Sequence, residues 1–366
     1  MIRSQVGMSR TSIERGVRSL EALLDPVWDE LVVRQACPNP TLLGGWQRAL
    51  GRHAPAPLVA TVRSGEALAA AGAFGLRRFG RLSVAAWLGG DLQSFSPDIL
   101  ADDRDSADAL VDALLGAVDV VRVPVLADGW LISSVARLAP WATAWDAPGS
   151  LVSSLPLPMR NRLRSDAASD QRRADRAGIP VEIRCATAPD ETVQALERLF
   201  RLHRRQWASR RKENNAHFAT TRAERAIHRD AVAALAQADR VRLIEVFEEG
   251  QLVASNLALR AGHGALGYLM ATQPGRGLAS PGRRALLEVA ERLAGDGCTI
   301  YDIGGSPLSA DSPKARLKPE RVRFVNLVVA ASPRLQRPIR AALHGKHYVR
   351  ELVRIAAATA AATHSS

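Results

Sequence analysis

Residues 241–284 read VRLIEVFEEG-QLVASNLALR-AGHGALGYLM-ATQPGRGLAS-PGRR, and this stretch decides the predicted fold. Its first thirty residues form three β-rich runs, separated by turn signals at Glu249-Gly250 and at residues 261–264. This pattern is typical of a three-strand meander. Glycine and proline are then frequent over residues 273–282, so the backbone there can approach a ligand closely.

A helix is predicted from about residue 281, because Ser280-Pro281 is a favourable helix start and apolar residues then recur with a 3.6-residue period. Gly295 and Gly297 end this helix before a strand at residues 299–303. A flexible loop that leads into a helix N-terminus presents unpaired N–H groups and a partial positive charge. We therefore predict a diphosphate-binding loop that uses Arg276, Gly277, Ser280, Gly282, Arg283 and Arg284.

Two carboxylates of this region are candidate acid or base groups. Asp302 ends an apolar strand, where burial would raise the pKa of its carboxyl, and its alternative role is to cap the following loop. Glu245 lies in the middle of the first strand. It could act through water in an acceptor groove, or it could simply face solvent.

The order of meander, glycine-rich loop, helix and strand resembles the GNAT superfamily of N-acyltransferases, and within it the CelD-like and FemABX-like branch. The matching phrases are Ser280-Pro281-Gly282, Tyr301-Asp302-Ile303-Gly304-Gly305 and the upstream Leu202-His203-Arg204-Arg205-Gln206-Trp207. The resemblance covers roughly residues 190–330. Residues 273–279 depart from the usual loop pattern, because they carry one extra residue before the second glycine.

The resemblance implies direct transfer of an acyl group to a primary amine, with acetyl-CoA or another acyl-CoA as co-substrate. It implies that backbone groups from Leu269 onward hold the donor, and that Tyr268 protonates the leaving thiolate. It also implies acceptor binding by His203 and Trp207, which share one helix face, and by Lys314. For each of these side chains the alternative is a packing or surface role.

The length of 366 residues favours two domains. The first half repeats the order of meander, helix and strand, but an acidic segment at residues 89–105 replaces the glycine-rich loop and would repel a diphosphate. We predict a mixed-sheet α/β (α+β) fold with two tandem GNAT-like lobes. Residues 1–155 would form a degenerate lobe, and residues 156–366 the acyltransferase lobe with the donor loop.

The formal net charge of +12 is unevenly distributed along the chain. Residues 1–150 hold 14 Arg against 16 acids, a net charge of −2, so the remainder holds 35 Lys and Arg against 21 acids, a net charge of +14. The basic blocks lie at residues 160–176, 198–212 and 334–354. They predict attraction to phosphate-bearing ligands or RNA, with a solvated basic face as the alternative.

Three functions follow from these patterns. The first is an acyl-CoA-dependent N-acyltransferase that acts on a small-molecule, peptide, sugar or lipid amine. The second is a FemABX-like aminoacyl transferase, with tRNA as a partner, which the tandem lobes and the basic second half support. The third is a non-catalytic GNAT-fold protein that binds RNA or anionic headgroups. The sequence assigns no oligomeric state.

Cysteine usage and hydropathy bound the compartment and the cofactors. Three widely spaced cysteines without a CxxC pair predict neither a disulfide framework nor a zinc site, and we expect no metal. The N-terminus lacks an apolar signal core, and charged residues interrupt the most apolar region, residues 109–132. We therefore expect a cytoplasmic protein without a transmembrane segment.

Overall fold

The computed structural model describes residues 9–54, 56–79, 81–88, 98–208, 221–304, 313–337 and 339. The strands are β1 (Ser9–Arg15), β2 (Pro57–Ser64), β3 (Ala67–Phe79), β4 (Leu82–Trp87), β5 (Leu100–Ala101), β6 (Val120–Leu126), β7 (Trp141–Ser154), β8 (Val181–Ala186), β9 (Val241–Glu248), β10 (Gln251–Ala261), β11 (Gly264–Thr272), β12 (Ile300–Asp302) and β13 (Glu320–Ala330). The α-helices are α1 (Pro26–Arg34), α2 (Gly44–Arg52), α3 (Arg104–Ala117), α4 (Trp130–Leu138), α5 (Arg162–Arg176), α6 (Pro189–Ala208), α7 (Arg222–Gln237) and α8 (Pro281–Gly295).

These strands join one mixed sheet, which confirms the predicted fold class. The strand order is β1-β2-β3-β4-β6-β13-β7-β12-β11-β10-β9-β8, and the short β5 pairs with β3. Within the described residues, no helix combines the length and apolar character that a membrane span requires.

Each half of the chain contains the predicted order of meander, helix and strand, so the two halves form a tandem arrangement. In the first half, β2, β3 and β4 form the meander, and β6 lies parallel to β4 after helix α3. In the second half, β9, β10 and β11 form the meander, and β12 lies parallel to β11 after helix α8. The domain boundary after residue 155 stays a prediction, because the strands on both sides of it belong to the same sheet.

Strand β13, at residues 320–330, joins the sheet within the first half of the chain. It lies between β6 and β7 and is antiparallel to both. Its side chains Val325, Leu327 and Val329 share a buried cluster with Leu110 and Leu131 of the first half. A strand at residues 323–329 is predicted from its apolar run, but its neighbours are set by long-range pairing. The first half is therefore completed by residues that lie beyond position 320.

Strand β7 connects the two halves and is not predicted from the sequence. It pairs with β13 along most of its length and with β12 at its C-terminal end. Val152 is opposite Glu320 on one side and Asp302 on the other. The sequence of this strand, WATAWDAPGSLVSS, contains a proline and a glycine, which favour a loop or turn prediction.

Helices cover both faces of the second meander. Alternate residues of β9 face opposite sides, so Leu243 packs in the cluster of α6 and α7, whereas Ile244 packs in the cluster of α5 and α8. Helix α5 forms within a segment that the sequence presents chiefly as a basic block, and Asn161 caps its start. The acidic loop at residues 89–97 lies outside the described residues. So do residues 338 and 340–343 of a helix that the sequence pattern predicts over residues 333–343, and the described part begins with a 3-10 helix at Pro333–Leu335.

Shortening Leu327 tests whether β13 belongs to the fold of the first half. Leu327→Ala removes a 1% exposed side chain, so we expect the free energy of unfolding to fall by about 2–5 kcal/mol. Chemical unfolding followed by tryptophan fluorescence reports mainly on the first half, which holds six of the seven tryptophans. Arg323→Ala, on the exposed part of the same strand, is the control and should change little. An unchanged fluorescence transition in Leu327→Ala would contradict this role of β13.

Candidate active site

A cavity of about 230 Å³ lies where β11 and β12 separate. The two strands pair in parallel at only three positions, from Gly264 to Leu266 on β11. Strand β11 continues to Thr272, so its later residues border a gap on that side. A gap between strands leaves backbone donors and acceptors for a ligand. The residues that matter most for the chemistry of this cavity are Asn256, Leu269, Met270, Tyr301, Gly304 and Lys314.

Lys314 supplies a cation to this cavity. Its Nζ donates a hydrogen bond to the carbonyl oxygen of Ile303 at 2.5 Å. Burial lowers the pKa of the Lys314 amine, and the nearby Asp302 carboxylate acts in the opposite direction. The predicted acceptor residue Lys314 is thus placed at the gap between the strands, and its charge is balanced by a carboxylate behind it.

Asp302 lies behind the cavity, where it ties three segments together. It is 6% exposed, and its Oδ1 accepts hydrogen bonds from the Ser150 hydroxyl on β7 and from the Gly304 N–H at 2.8 Å. The predicted cap of the following turn is therefore present. The charge that Asp302 exerts on Lys314 connects it with the cavity, and a role in proton transfer stays a prediction.

Tyr301 and Asn256 also line the cavity, although the sequence reasoning assigned neither a role. A Cβ atom on Gly267 would lie 2.9 Å from the Tyr301 hydroxyl, so a glycine there leaves room for the phenol. Burial raises the pKa of Tyr301, and the neighbouring Asn256 side chain partly opposes this shift. A signal was present for Asn256, because it is a polar residue at the centre of the apolar strand LVASNLALR.

The hydroxyl of Tyr268 is engaged in the core. Tyr268 borders the cavity, but its hydroxyl lies 2.9 Å from Nδ1 of His228 on α7, and its ring packs edge-on against Trp46. Burial lowers the pKa of His228 to about 4, so this imidazole is neutral near pH 7. The proposed protonation of a leaving group by Tyr268 stays a prediction, and this geometry directs its hydroxyl to His228.

The predicted acceptor residues on α6 contact each other. Nε1 of Trp207 donates to Nε2 of His203 at 2.7 Å, and neither residue lines the cavity between β11 and β12. Gln206, which lies between His203 and Trp207 in the sequence, accepts a hydrogen bond from the Thr272 N–H through its side-chain oxygen at 3.1 Å. Helix α6 is therefore fixed to the end of β11, and acceptor binding by His203 and Trp207 stays a prediction.

Glu245 is bound in an ion pair away from the cavity. It is 1% exposed, and its two oxygens accept hydrogen bonds from Nε and an Nη of Arg198, each at 2.7 Å. The alternative that Glu245 faces solvent is wrong, and Glu245 does not line the cavity between β11 and β12. A role of Glu245 in an acceptor groove stays a prediction. Both oxygens of Glu245 are therefore occupied by the Arg198 guanidinium.

The glycine-rich loop holds a carboxylate of the chain itself. Backbone N–H groups of Arg276, Gly277 and Leu278 donate to the side chain of Glu248 at 2.6, 3.0 and 2.7 Å. Glu248 ends β9 and is 2% exposed. The predicted phosphate-binding loop thus has anion-binding geometry, and in this structure its N–H groups point to Glu248.

The arginines of the loop and helix start are also paired with acids. Arg276 contacts Glu249, Arg284 contacts Glu288, and Arg283 contacts Asp170 on α5 at 2.8 Å. Ser280 occupies the N-cap position of α8, but its side chain makes no capping hydrogen bond. The proline at the first helical position therefore supplies the start signal, since its ring presets the helical φ.

Close packing explains two of the loop glycines. A Cβ on Gly277 would lie 3.0 Å from the Cβ of Ala174 on α5, and Arg173 donates to the carbonyl oxygen of Gly277 at 2.6 Å. A Cβ on Gly282 would lie 2.8 Å from the side chain of Thr272. These glycines let the loop pack between α5 and the end of β11, which is a structural reason for their presence. Their role in cofactor binding stays a prediction.

Residues 161–312 match the family model described as an acetyltransferase (GNAT) domain. This region contains the second meander, the glycine-rich loop, α8 and β12. Residues 161–312 are a GNAT domain. No curated protein sequence matches the chain.

Solved structures extend this similarity of fold beyond the GNAT domain. FemX is 10% identical, with 88% of this chain and 99% of FemX covered and a TM-score of 0.62. The C-terminal domain of a putative lysylphosphatidylglycerol synthetase from Agrobacterium fabrum is 15% identical, with coverage of 85% and 92% and a TM-score of 0.53. L-PGS from Bacillus licheniformis is 14% identical, with coverage of 87% and 94% and a TM-score of 0.50. At these identities the similarity establishes the fold alone.

Replacing Glu245 tests whether it serves the stability of the GNAT domain. Glu245→Ala leaves Arg198 without its partner, so we expect the free energy of unfolding to fall by about 1–3 kcal/mol. Replacing Arg198 by Met and Glu245 by Leu together should recover part of this loss, because no unpaired charge is left. Glu182→Ala is the control. It breaks an exposed ion pair with Arg184 within β8, the strand next to β9, and should change the free energy of unfolding little. Equal unfolding curves for Glu245→Ala and the wild type would exclude the structural role.

Proposed function

We propose that the chain transfers an acyl group from an activated ester or thioester to an amine in the cavity between β11 and β12. The observation that supports this most is the position of Lys314 at the gap beside the unpaired side of β11. Strand separation offers backbone groups to an extended acyl arm, and a cation there can stabilise an oxyanion.

The reaction needs one nucleophile and one leaving group. A neutral amine attacks the acyl carbon, so that a carbon–nitrogen bond forms and the carbonyl oxygen becomes an oxyanion. The protonated Lys314 amine stabilises this charge as it develops. When the intermediate collapses, the bond to sulfur or oxygen breaks, and the leaving thiolate or alkoxide takes up the proton that the attacking nitrogen loses. Positioning of donor and acceptor supplies the remaining rate enhancement.

Asp302 acts in this proposal as a positioning residue. Its carboxylate accepts from the Gly304 N–H, which fixes the turn at the edge of the cavity. Its charge also raises the pKa of Lys314 against the effect of burial. Asp302 therefore favours the protonated form of Lys314 that oxyanion stabilisation requires.

A second cavity, of about 570 Å³, is the candidate binding place for the amine acceptor. It lies in the first half beside the N-terminus of α4 and includes Asp98, Asp128 and Cys37. Burial raises the pKa of the Cys37 thiol, and the nearby Asp302 carboxylate adds to this shift. Asp98 accepts hydrogen bonds from the N–H groups of Ile99, Trp130 and Leu131, so Asp128 is the carboxylate proposed to attract the ammonium group of a small-molecule, sugar or lipid amine.

The donor is proposed from two classes. Acyl-CoA is the donor that the GNAT domain favours. An aminoacyl-tRNA is the second candidate, and the arginines of α6 favour it. Arg201 and Arg205 line a groove with Phe247, and neither has an ion-pair or hydrogen-bond partner within the described part of the chain. Exposed arginines that line a groove are suited to phosphate contacts.

Lys314→Met tests the reaction centre. With an amine and acyl-CoA or aminoacyl-tRNA supplied, kcat should fall by roughly 10²-fold or more, because an oxyanion donor is removed. Donor affinity should change little. Lys318→Asn is the matched control, since it removes an exposed lysine at a φ of 51° that asparagine tolerates. Normal turnover in Lys314→Met would exclude this assignment.

Asp302→Asn adds a pH readout to the same test. The amide keeps an acceptor for Gly304 but removes the charge that raises the pKa of Lys314. The alkaline limb of the kcat profile should therefore move to lower pH, since Lys314 loses its proton earlier. A profile that keeps its shape while only the melting temperature falls would restrict Asp302 to turn capping.

The two donor classes separate in a binding experiment. Acyl-CoA as donor predicts that acyl-CoA raises the melting temperature of the full chain and that salt has little effect. Aminoacyl-tRNA as donor predicts tRNA affinity that falls steeply with salt, with a logarithmic slope of about one for each phosphate that the protein neutralises. Replacing Arg201 and Arg205 by Ala should then reduce this slope, whereas Arg323→Ala should leave it unchanged. Anion binding without turnover on any donor would favour the non-catalytic alternative.

A further inference from the structure

The glycine-rich loop already satisfies an anion. Three consecutive N–H groups, those of residues 276–278, converge on the Glu248 carboxylate, with one donating to Oε1 and two to Oε2. Such a concave set of backbone donors is the usual binding place for a phosphate oxygen. Here both carboxylate oxygens occupy it, and the side chain is almost fully buried.

The fit around Glu248 is close. A Cβ on Gly275 would lie 2.5 Å from Oε1 and 2.7 Å from Oε2 of Glu248, so the absence of a side chain at this position makes room for the carboxylate. The turn residues Glu249 and Gly250 both have positive φ values, of 50° and 75°. This tight turn follows directly after Glu248 and fixes the strand end from which its side chain reaches the loop.

The surrounding cations are neutralised by other acids of the chain. Arg276 is paired with Glu249, and Arg283 lies 2.8 Å from Asp170 and 3.7 Å from Asp166. A diphosphate that entered the loop would meet the Glu248 carboxylate and would have to compete for each of these arginines. A diphosphate and the Glu248 carboxylate would carry like charges within a few ångströms of each other, and such charges repel strongly when they are buried.

We propose that Glu248 is a built-in anion that occupies the diphosphate position of the loop, and that it excludes donors that must anchor a diphosphate there. This inference rests on the proposed function only in taking the excluded ligand to be the acyl donor. It makes Glu248 a specificity-determining residue, and it points to donors recognised by their acyl arm or by other phosphates.

Binding measurements on the full chain test this without any turnover. Calorimetry compares pantetheine, CoA and inorganic pyrophosphate. For the wild type we expect CoA to bind no more than about threefold more tightly than pantetheine and pyrophosphate not to compete. Glu248→Ala opens the loop, so its affinity for CoA should rise by about tenfold or more and pyrophosphate should compete.

Glu249→Ala is the matched control. It removes one negative charge from the adjacent position and frees Arg276, but it leaves the three N–H groups on Glu248. Any gain in CoA affinity from the freed Arg276 should therefore stay well below the tenfold gain of Glu248→Ala, and pyrophosphate should not displace the ligand from the loop. Should Glu248→Ala not fold, Glu248→Gln keeps the size of the side chain without its charge and should show a smaller gain in the same direction.

Two results would overturn the inference. One is a wild type that binds CoA about tenfold more tightly than pantetheine and loses this advantage to pyrophosphate. The other is a folded Glu248 variant that gains no affinity for pyrophosphate. Neither result depends on whether the chain transfers acyl groups, so the proposed function is judged separately by the Lys314 variants.

Discussion

Backbone pairing of β7 with strands from both halves is the constraint on which the arrangement of this chain depends. Val152 of this strand is opposite Asp302 of β12 on one side and opposite Glu320 of β13 on the other. Two residues earlier, Ser150 donates its hydroxyl hydrogen to Asp302. The carboxylate beside the cavity is therefore held by a side chain of the first half. The tandem arrangement is thus part of the site and does more than place two similar folds side by side.

Charge pairing explains how, among the residues that the structure describes, a strongly basic second half contains little free positive charge around its glycine-rich loop. The arginines of the loop and of the α8 start contact carboxylates on α5, on α8 and at the end of β9. Exposed arginines that line a groove occur instead on α6, at Arg201 and Arg205. Net charge alone therefore does not locate an anion site, because internal pairs neutralise much of it.

Much of the fold could be predicted because the signals of the second meander, α8 and β12 are local. The places of β13 and β7 could not, since strand pairing depends on residues far away in the sequence. In the site, Lys314 and Leu269 were identified through the family resemblance, and both line the cavity. Tyr301 was missed because an aromatic residue in an apolar strand is usually a core residue, whereas the signal of Asn256, a polar residue in an apolar strand, was present but not used. The ion pair of Glu245 with Arg198 forms because one face of β9 packs against α6. The packing of the whole second half decides which face this is, so the pair could not be predicted from local sequence.

The place of β13 has a consequence for synthesis of the protein. The ribosome releases β6 and β7 long before residue 320 has been made, and until then the two strands lack the neighbour that separates them in the finished sheet. Open strand edges are prone to pair with other chains. The nascent first half therefore lacks one strand of its sheet until residues 320–330 have emerged. Gene fragments that stop before this strand should yield aggregation-prone products.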